Sequence, residues 1–297
     1  MFIKEGNMKN IVLTIFFLNI CTFVYAIDFH LSHYTGIRIT DNKLYYYAFD
    51  NEADNEEYNI SWEKINKIEY ITFNYTGKFL DEYSQWAYKK PTAKGIKRYL
   101  VLYGNINIEN RADFFFLYDE NNELAFSQWS RDSANTVNHA SIAISATSEY
   151  RERNIIYSAN NLLNYKNLQS WVEAAKGSGI GEKLFLEYNT KTGGVDPSVI
   201  PKWKIDGIAI SNGFVDYKRP FLYEYNNRIK KIRIHFNAFG DFLDINLEDI
   251  PQIQFFDFSG RKSEKIQIEI LEVYNGSRYD DTCINLIFPY TWSFLYN

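Results

Sequence analysis

The chain has 297 residues, 46% of them hydrophobic and 23% charged, and its 18% aromatics include 24 Tyr and 23 Phe. Six Pro and 15 Gly exclude a collagen-like or low-complexity chain, and two Cys exclude a disulfide scaffold, so stability has to come from packed apolar cores. A balance of 32 Lys+Arg against 37 Asp+Glu, net −5, gives no basic field for nucleic acid or an anionic membrane surface, and the length suits two ordinary domains.

Residues 1–26 differ from everything after them. Lys4 and Lys9 precede an apolar run from Ile11 to Tyr25, interrupted only by Thr14, Asn19, Cys21 and Thr22. Val24-Tyr25-Ala26 then places small side chains at the −3 and −1 positions of a cut, the pattern of a signal peptide leading to secretion, the periplasm or the cell surface. The run is shorter than the roughly 20 residues a helical membrane span needs, so no span is expected after signal removal. Cys21 opens a lipoprotein alternative, although Leu18-Asn19-Ile20 lacks the small residue expected before a lipidated cysteine. Cleavage after Ala26 leaves Cys283 as the one cysteine and 30 basic against 36 acidic residues, net −6.

Between residues 27 and 135, apolar and aromatic residues alternate at period two in short runs such as Lys43–Phe49, Ile65–Tyr75, Arg98–Tyr103, Asp113–Tyr118 and Glu123–Trp129. This is the pattern of strands, and Asp119-Glu120-Asn121-Asn122 reads as the turn of a hairpin. Trp62–Asn66 is the one segment read as a short helical turn. The polar stretch Ser130–Ala140 marks a domain boundary. Beyond it, seven further runs are expected as strands: Lys183–Tyr188, Ile205–Ser211, Ile229–Phe236, Phe242–Leu247, Ile253–Phe258, Lys265–Val273 and Cys283–Phe288. In Ile232-Arg233-Ile234-His235-Phe236 every second side chain is apolar, so one face is expected to be buried and the other wet. Seven strands with turns between them suggest a sandwich or jelly roll.

Catalytic signatures are missing from the sequence. Gly177-Ser178-Gly179-Ile180-Gly181 precedes an alternating, strand-like segment where a phosphate-binding turn would open a helix, so it reads as a loop between strands. His30 and His33 lie three apart, which on a strand points them to opposite faces, and no Cys or His cluster completes a metal set. No Gly-x-Ser-x-Gly elbow, HExxH pair or P-loop occurs, and Cys283 reads as a buried inert thiol. Asp280-Asp281 reads as a turn or loop cap rather than an acid–base pair. A binding vocabulary remains: Trp171, Tyr217, Tyr223, Tyr225 and Tyr279 in or beside loops offer aromatic faces for stacking, beside Asn, Asp and Arg for hydrogen bonding.

The second half also carries motifs in a particular order. Tyr157-Ser158-Ala159-Asn160-Asn161-Leu162-Leu163 is followed by Trp171-Val172-Glu173, the Gly177–Gly181 loop, and Ile208–Phe214 with its Asn212-Gly213. Asn226-Asn227-Arg228-Ile229, Val273-Tyr274-Asn275-Gly276 and Tyr279-Asp280-Asp281-Thr282-Cys283 complete the series. Over residues 141–290 the chain resembles the NADase-type glycan-binding domain, a discoidin-like, galactose-binding-like β-sandwich of secreted bacterial proteins. The resemblance implies carbohydrate binding and nothing catalytic. It implies ligand contacts among Trp171, Glu173, Tyr223, Tyr225, Asn226, Arg228, Tyr279 and Asp280, and scaffold roles for Gly177, Gly179, Gly181, Asn212 and Gly213. Trp171 reads first as core packing against the glycine loop and second as a stacking face, and Arg228 with Asp280 is equally readable as a salt bridge joining loops. Asn212-Gly213 reads as a tight hairpin turn, and Arg228 and Lys230 as pointing outward on either side of Ile229. Where the family commonly has Asp-Gly after the Asn-Leu-Leu segment, this chain has Asn164-Tyr165. That removes a carboxylate from the loop associated with structural calcium in discoidin-like folds, so no metal or other cofactor is expected.

The expectation is thus an all-β protein with a signal peptide at 1–26 and two β-rich domains. The first, 27–135, is a small barrel or sandwich of unknown type; the second, 141–290, is a galactose-binding-like jelly-roll sandwich. The function expected is exported, non-catalytic recognition of a glycan or cell-envelope component through loops of the second domain. The alternatives are a structural or adhesion protein using the sandwich for protein contacts, and a hydrolase with its site in the first domain.

Overall fold

The structure is a computed structural model that describes residues 27–30, 35–40, 43–48, 56–75, 95–106, 111–129, 142–188, 205–236, 240–261 and 263–290. The signal-peptide segment, the Ser130–Ala140 boundary and the side chains of His30, His33 and His139 lie outside the described residues.

The first half is an antiparallel meander in chain order: β1 (Ile27–His30), β2 (Thr35–Thr40), β3 (Lys43–Ala48), β4 (Glu56–Ile65), β5 (Ile68–Tyr75), β6 (Gly95–Ile106), β7 (Arg111–Tyr118) and β8 (Leu124–Trp129). β1 also meets β7 in parallel at Asp28 and Arg111, which rolls the meander into a barrel. β7 continues along that same edge to pair Phe114–Tyr118 with β8. Trp62 lies within β4 and not in a helical turn; the chain reverses only at Asn66-Lys67, whose left-handed φ values of 47° and 64° make a two-residue hairpin. The Asp119–Asn122 turn forms as expected. Asp119 Oδ1 accepts the N–H groups of Asn121 (2.8 Å) and Glu123 (3.1 Å), satisfying the backbone donors of the reversal.

The second half contains β9 (Ile142–Ala146), a miniature hairpin of β10 (Arg151–Glu152) and β11 (Ile155–Ile156), a 3-10 turn Ala159–Leu163, and β12 (Trp171–Val172). These are followed by β13 (Lys183–Tyr188), β14 (Gly207–Asn212), the one-turn helix α1 (Leu222–Tyr225), β15 (Asn227–His235), β16 (Phe242–Asn246), β17 (Gln254–Asp257), β18 (Lys265–Tyr274) and β19 (Thr282–Tyr290). One layer runs β17-β14-β19 with β12 on β19; the other runs β16-β15-β18-β13-β9. The layers join where Asn227–Arg228 pairs in parallel with Thr282–Cys283. Between them lies an aliphatic core that includes Ile144, Leu184, Leu186, Ile208, Ile210, Ile232, Ile234, Ile268 and Ile284. All seven strand runs read in this half are present.

Every residue of β14 and β19 is buried, where alternation would leave one face wet. The reason is a second apolar cluster on the outer face of that layer, drawn from both halves. Tyr70, Leu100, Leu102, Phe114, Phe116 and Tyr118 of the barrel pack against Ala209, Ile253, Leu286 and Phe288 of the sandwich. Phe114 and Phe288 meet edge to face at 4.7 Å between ring centres, an arrangement the ring quadrupoles favour. A strand buried on both faces reads as a near-continuous apolar run, as Cys-Ile-Asn-Leu-Ile-Phe-Pro-Tyr does here. The same junction takes in Tyr217, whose ring stands edge-on to Tyr70 at 5.3 Å, while Lys67 Nζ reaches Asp249 Oδ2 at 2.6 Å. Burial, partly offset by the neighbouring Arg98 guanidinium, pushes the Tyr70 phenol up to about 12.

Candidate functional site

The loops at the β12 and β19 end of the sandwich are held by buried polar side chains. Asn212 is one: its Oδ1 accepts Ile229 N–H (2.9 Å) and its Nδ2 donates to Ile229 O (2.7 Å), replacing a ladder pair with a side chain. Asn212-Gly213 is accordingly not a hairpin turn; β14 pairs with β17 and β19, and Gly213, at φ +77°, turns the chain into the 214–221 loop. Of the glycine loop, Gly177, Gly179 and Gly181 all have positive φ and bridge β12 to β13 with no helix following. At Gly179 space matters as well, since a Cβ there would lie 2.7 Å from Glu173 Cγ.

Several residues expected at a ligand surface belong to this internal framework. Trp171 is fully buried, its indole N–H donating to Ser148 O at 3.0 Å, so of its two readings the core one matches its position. Glu173 is fully buried and accepts N–H groups from Ala175 (2.5 Å) and Thr282 (3.2 Å); burial raises its pKa despite those bonds. Tyr223 is fully buried, and Asn226 caps α1 by donating Nδ2–H to Leu222 O at 2.8 Å. Arg228 does not point outward. Its side chain is 7% exposed and grips Asp249, with Nη1 donating to Asn226 O at 2.9 Å, because a register shift after Ile229 turns it inward while Lys230 stays in water. Its carboxylate partner is Asp249 and not Asp280.

Tyr225, Tyr279 and Asp280 do reach the surface, and they come together. The Tyr225 and Tyr279 rings lie 6.1 Å apart, Phe221 adds a third ring 5.0 Å from Tyr225, and Arg278 sits 5.6 and 5.3 Å from the two tyrosine rings. Tyr279 N–H donates to Tyr225 O at 2.8 Å, fixing the platform to α1. Asp280 is exposed beside it.

A second feature was missed by reasoning from the sequence. A concavity of about 370 Å³ opens among the β7–β8 hairpin turn, the β10–β11 hairpin, the 161–170 segment and the 214–219 loop. Its lining is rich in carboxamides: Asn121, Asn122, Asn161, Asn167 and Gln169. Ile155 and Ile156, 55% and 43% exposed, with Tyr157 and Phe214, give it apolar patches. Tyr157 and Phe214 contact edge to face at 5.9 Å. The charged members nearly cancel. Asp216 accepts from Arg219 through Nε (3.1 Å) and Nη2 (2.8 Å) and caps the backbone N–H groups of Lys218 and Arg219; Glu123 is the third charged residue of the lining. Asn161 and Phe214 lay within the quoted motifs, but the amides of 121–123 and 167–169 come from different halves, and their convergence has no signature in the sequence. Among the described residues no group of three or more His, Cys, Asp or Glu is placed to hold a metal ion, and no helix is long and apolar enough to cross a membrane.

Fold and loop framework together define a discoidin-like β-sandwich, packed on a barrel. Residues 136–289, just over half of the chain, match the family described as NAD glycohydrolase translocation F5/8 type C domain, and the chain belongs to that family. Among curated proteins none matches. Solved structures similar to it include CpGH89CBM32-5 from Clostridium perfringens in complex with GalNAc-β-1,3-galactose, at 15% identity and a TM-score of 0.34, covering 50% of this chain and 95% of that one. GH31 CBM32-2 bound to GalNAc is another, at 13% identity and a TM-score of 0.32, covering 50% and 97%.

Proposed function

We propose that this chain is an exported, non-catalytic glycan-binding protein, and that the 370 Å³ concavity receives a neutral, acetamido-bearing sugar. The observation that carries the reading is the composition of that concavity. Sugar hydroxyls both donate and accept, and carboxamides offer both functions without charge. The exposed Ile155 and Ile156 suit the methyl of an acetamido group, and the Asp216–Arg219 pair, neutral as a unit beside Glu123, gives an anionic sugar no unpaired cation to meet. The Phe221–Tyr225–Tyr279 platform follows the 214–219 wall along the chain and offers stacking area for a further ring. Export rests on the Lys4–Ala26 pattern, and the non-catalytic reading on the lack of a nucleophile, base or metal motif in the sequence.

The test is a glycan array probed with the purified protein, followed by titration with N-acetyllactosamine and its sialylated form. Selective, saturable binding of neutral acetamido glycans is expected. A folded protein silent across the array, or one preferring the sialylated sugar, overturns the reading.

A further inference from the structure

The concavity is not a property of the sandwich alone. Of its polar side chains, Asn121 and Glu123 are exposed on the β7–β8 turn of the barrel, opposite Asn167 and Gln169, which are exposed on the sandwich. The turn is built into the sandwich as if it were one of its own strands. Glu123 bridges Asn167 in antiparallel register, Leu124 N–H donates to Lys166 O (2.9 Å), and Leu168 N–H donates to Asn122 O (2.9 Å). Asn122 Oδ1 accepts Tyr217 N–H at 2.8 Å, tying the turn to the 214–219 wall as well, and beneath it Tyr118 Oη–H donates to Tyr165 O at 3.0 Å. Asn122 holds φ +61°, a left-handed conformation that Asn tolerates better than most residues. The turn is thus held by backbone atoms of Asn122, Leu124, Lys166 and Leu168 and by the side chains of Asn122 and Tyr118, a set that does not include the Asn121 side chain.

From this arrangement we infer that the binding site is composite, and that the barrel's β7–β8 turn is its specificity-determining wall. The inference rests on the glycan reading and extends it. The barrel gains a role: it supplies Asn121 and Glu123 as hydrogen-bonding partners for a sugar seated on the sandwich, so the family domain by itself presents half a site. Asn121 offers a donor and an acceptor, and Glu123 an acceptor for paired hydroxyls.

The experiment compares the full chain with two variants on the same array of neutral acetamido glycans, with thermal melts alongside. Asn121→Ala alters the barrel wall; Phe214→Ala alters the sandwich wall. Losses of at least about tenfold in affinity for both, with melts unchanged for the barrel-wall variant, are expected for groups that bond the ligand directly. If Phe214→Ala loses binding and the barrel-wall variant stays within about twofold of wild type, the composite site is wrong while the glycan reading stands. If wild type itself captures nothing, both fall. A second measurement does not depend on truncation. In the mature chain, where Cys283 is buried, Asn121→Cys carrying an environment-sensitive fluorophore should change emission with the same N-acetyllactosamine midpoint as direct titration; emission indifferent to saturating sugar overturns the inference.

Discussion

Arg228 and Asp249 form a two-point pair, Nε to Oδ1 at 3.0 Å and Nη2 to Oδ2 at 2.9 Å, at the place where Lys67 of the barrel reaches the same carboxylate at 2.6 Å. One carboxylate thus fastens the β15 loop of the sandwich and, through Lys67, the β4–β5 hairpin of the barrel. Asp249 also lies 3.4 Å from the hydroxyl of the buried Tyr223.

Truncating the arginine leaves a half-buried carboxylate short of its main partner, and the carbonyls of Asn226 and Asn275 without a donor. Arg228→Ala is expected to cost about 3–5 kcal/mol in urea unfolding. Arg228→Lys should recover only part of this, because an ammonium cannot reproduce the planar fork. Burial works to raise the Asp249 pKa, but hydrogen bonds from Arg228 and Lys67 outweigh it and hold the carboxyl below its ordinary value. A lowered folded pKa stabilises the fold above the unfolded carboxylate's pKa, near 3.9, and that contribution is lost as pH falls through the folded value. Asp249→Asn should therefore lower stability at neutral pH and flatten the acid limb. An unchanged acid limb would show that other carboxylates set it.

Glu173 should behave with the opposite sign. Burial raises its pKa in spite of the two backbone N–H groups it accepts, so the folded state holds its proton more tightly than the unfolded chain does. Its contribution is fully present below the unfolded pKa, near 4.3, and fades as pH rises through the raised folded value. Measured across that range, the stability of wild type minus that of Glu173→Gln should narrow as pH rises. A difference that widens would mean that the N–H groups of Ala175 and Thr282 dominate.

Trp171 separates framework from ligand surface. Trp171→Ala should cost about 3–5 kcal/mol, as for other large-to-small changes in a core. Trp171→Phe gives up the bond to Ser148 O and some volume but fills most of the site, and the folded variant should bind glycan with wild-type affinity, because the indole is internal. Weakened binding with an unchanged melt would place Trp171 in the site after all.

These contrasts show what the sequence could express. Period-two alternation located seven of the eleven strands described in the second half, β13 to β19, because strand burial is written into neighbouring residues; β9 and the two-residue β10, β11 and β12 were not read. The discoidin-like motifs were legible because they are framework: Trp171, Glu173, Asn212 and Arg228 satisfy the backbone groups of loops that this sandwich has to close. Their polarity looked like ligand chemistry when read singly, since nothing local says whether a polar side chain faces water or a buried backbone group. Asp249, the partner of Arg228, lies 21 residues further on with no spacing rule to connect them. The wall formed by Asn121 and Glu123 was invisible for a stronger reason. It depends on how the barrel seats on β14 and β19, and the one trace of that contact is the unbroken apolar run of β19, which suits a strand covered on both sides but does not say by what.

The seating itself depends on Gly104. β6 of the barrel approaches β17 so closely there that Ile253 N–H donates to Tyr103 O at 2.8 Å, and a Cβ on residue 104 would lie 2.6 Å from Ile253 O and 2.6 Å from the Phe255 ring. Backbone stands on the far side, so rotamer changes cannot relieve the clash. Gly104 does not have a positive φ, so the effect of Gly104→Ala is one of space and not of backbone strain. The variant is expected to lose about 1–3 kcal/mol, the usual cost of forcing extra volume into a packed contact. It should also speed hydrogen exchange at the Ile253 amide, which bonds across the junction, while leaving amides such as Ile268 and Ile234, inside the far layer of the sandwich, protected. Glycan affinity is the decisive companion measurement. A composite site should weaken when the barrel lifts from the sandwich, whereas a site confined to the sandwich would bind as before.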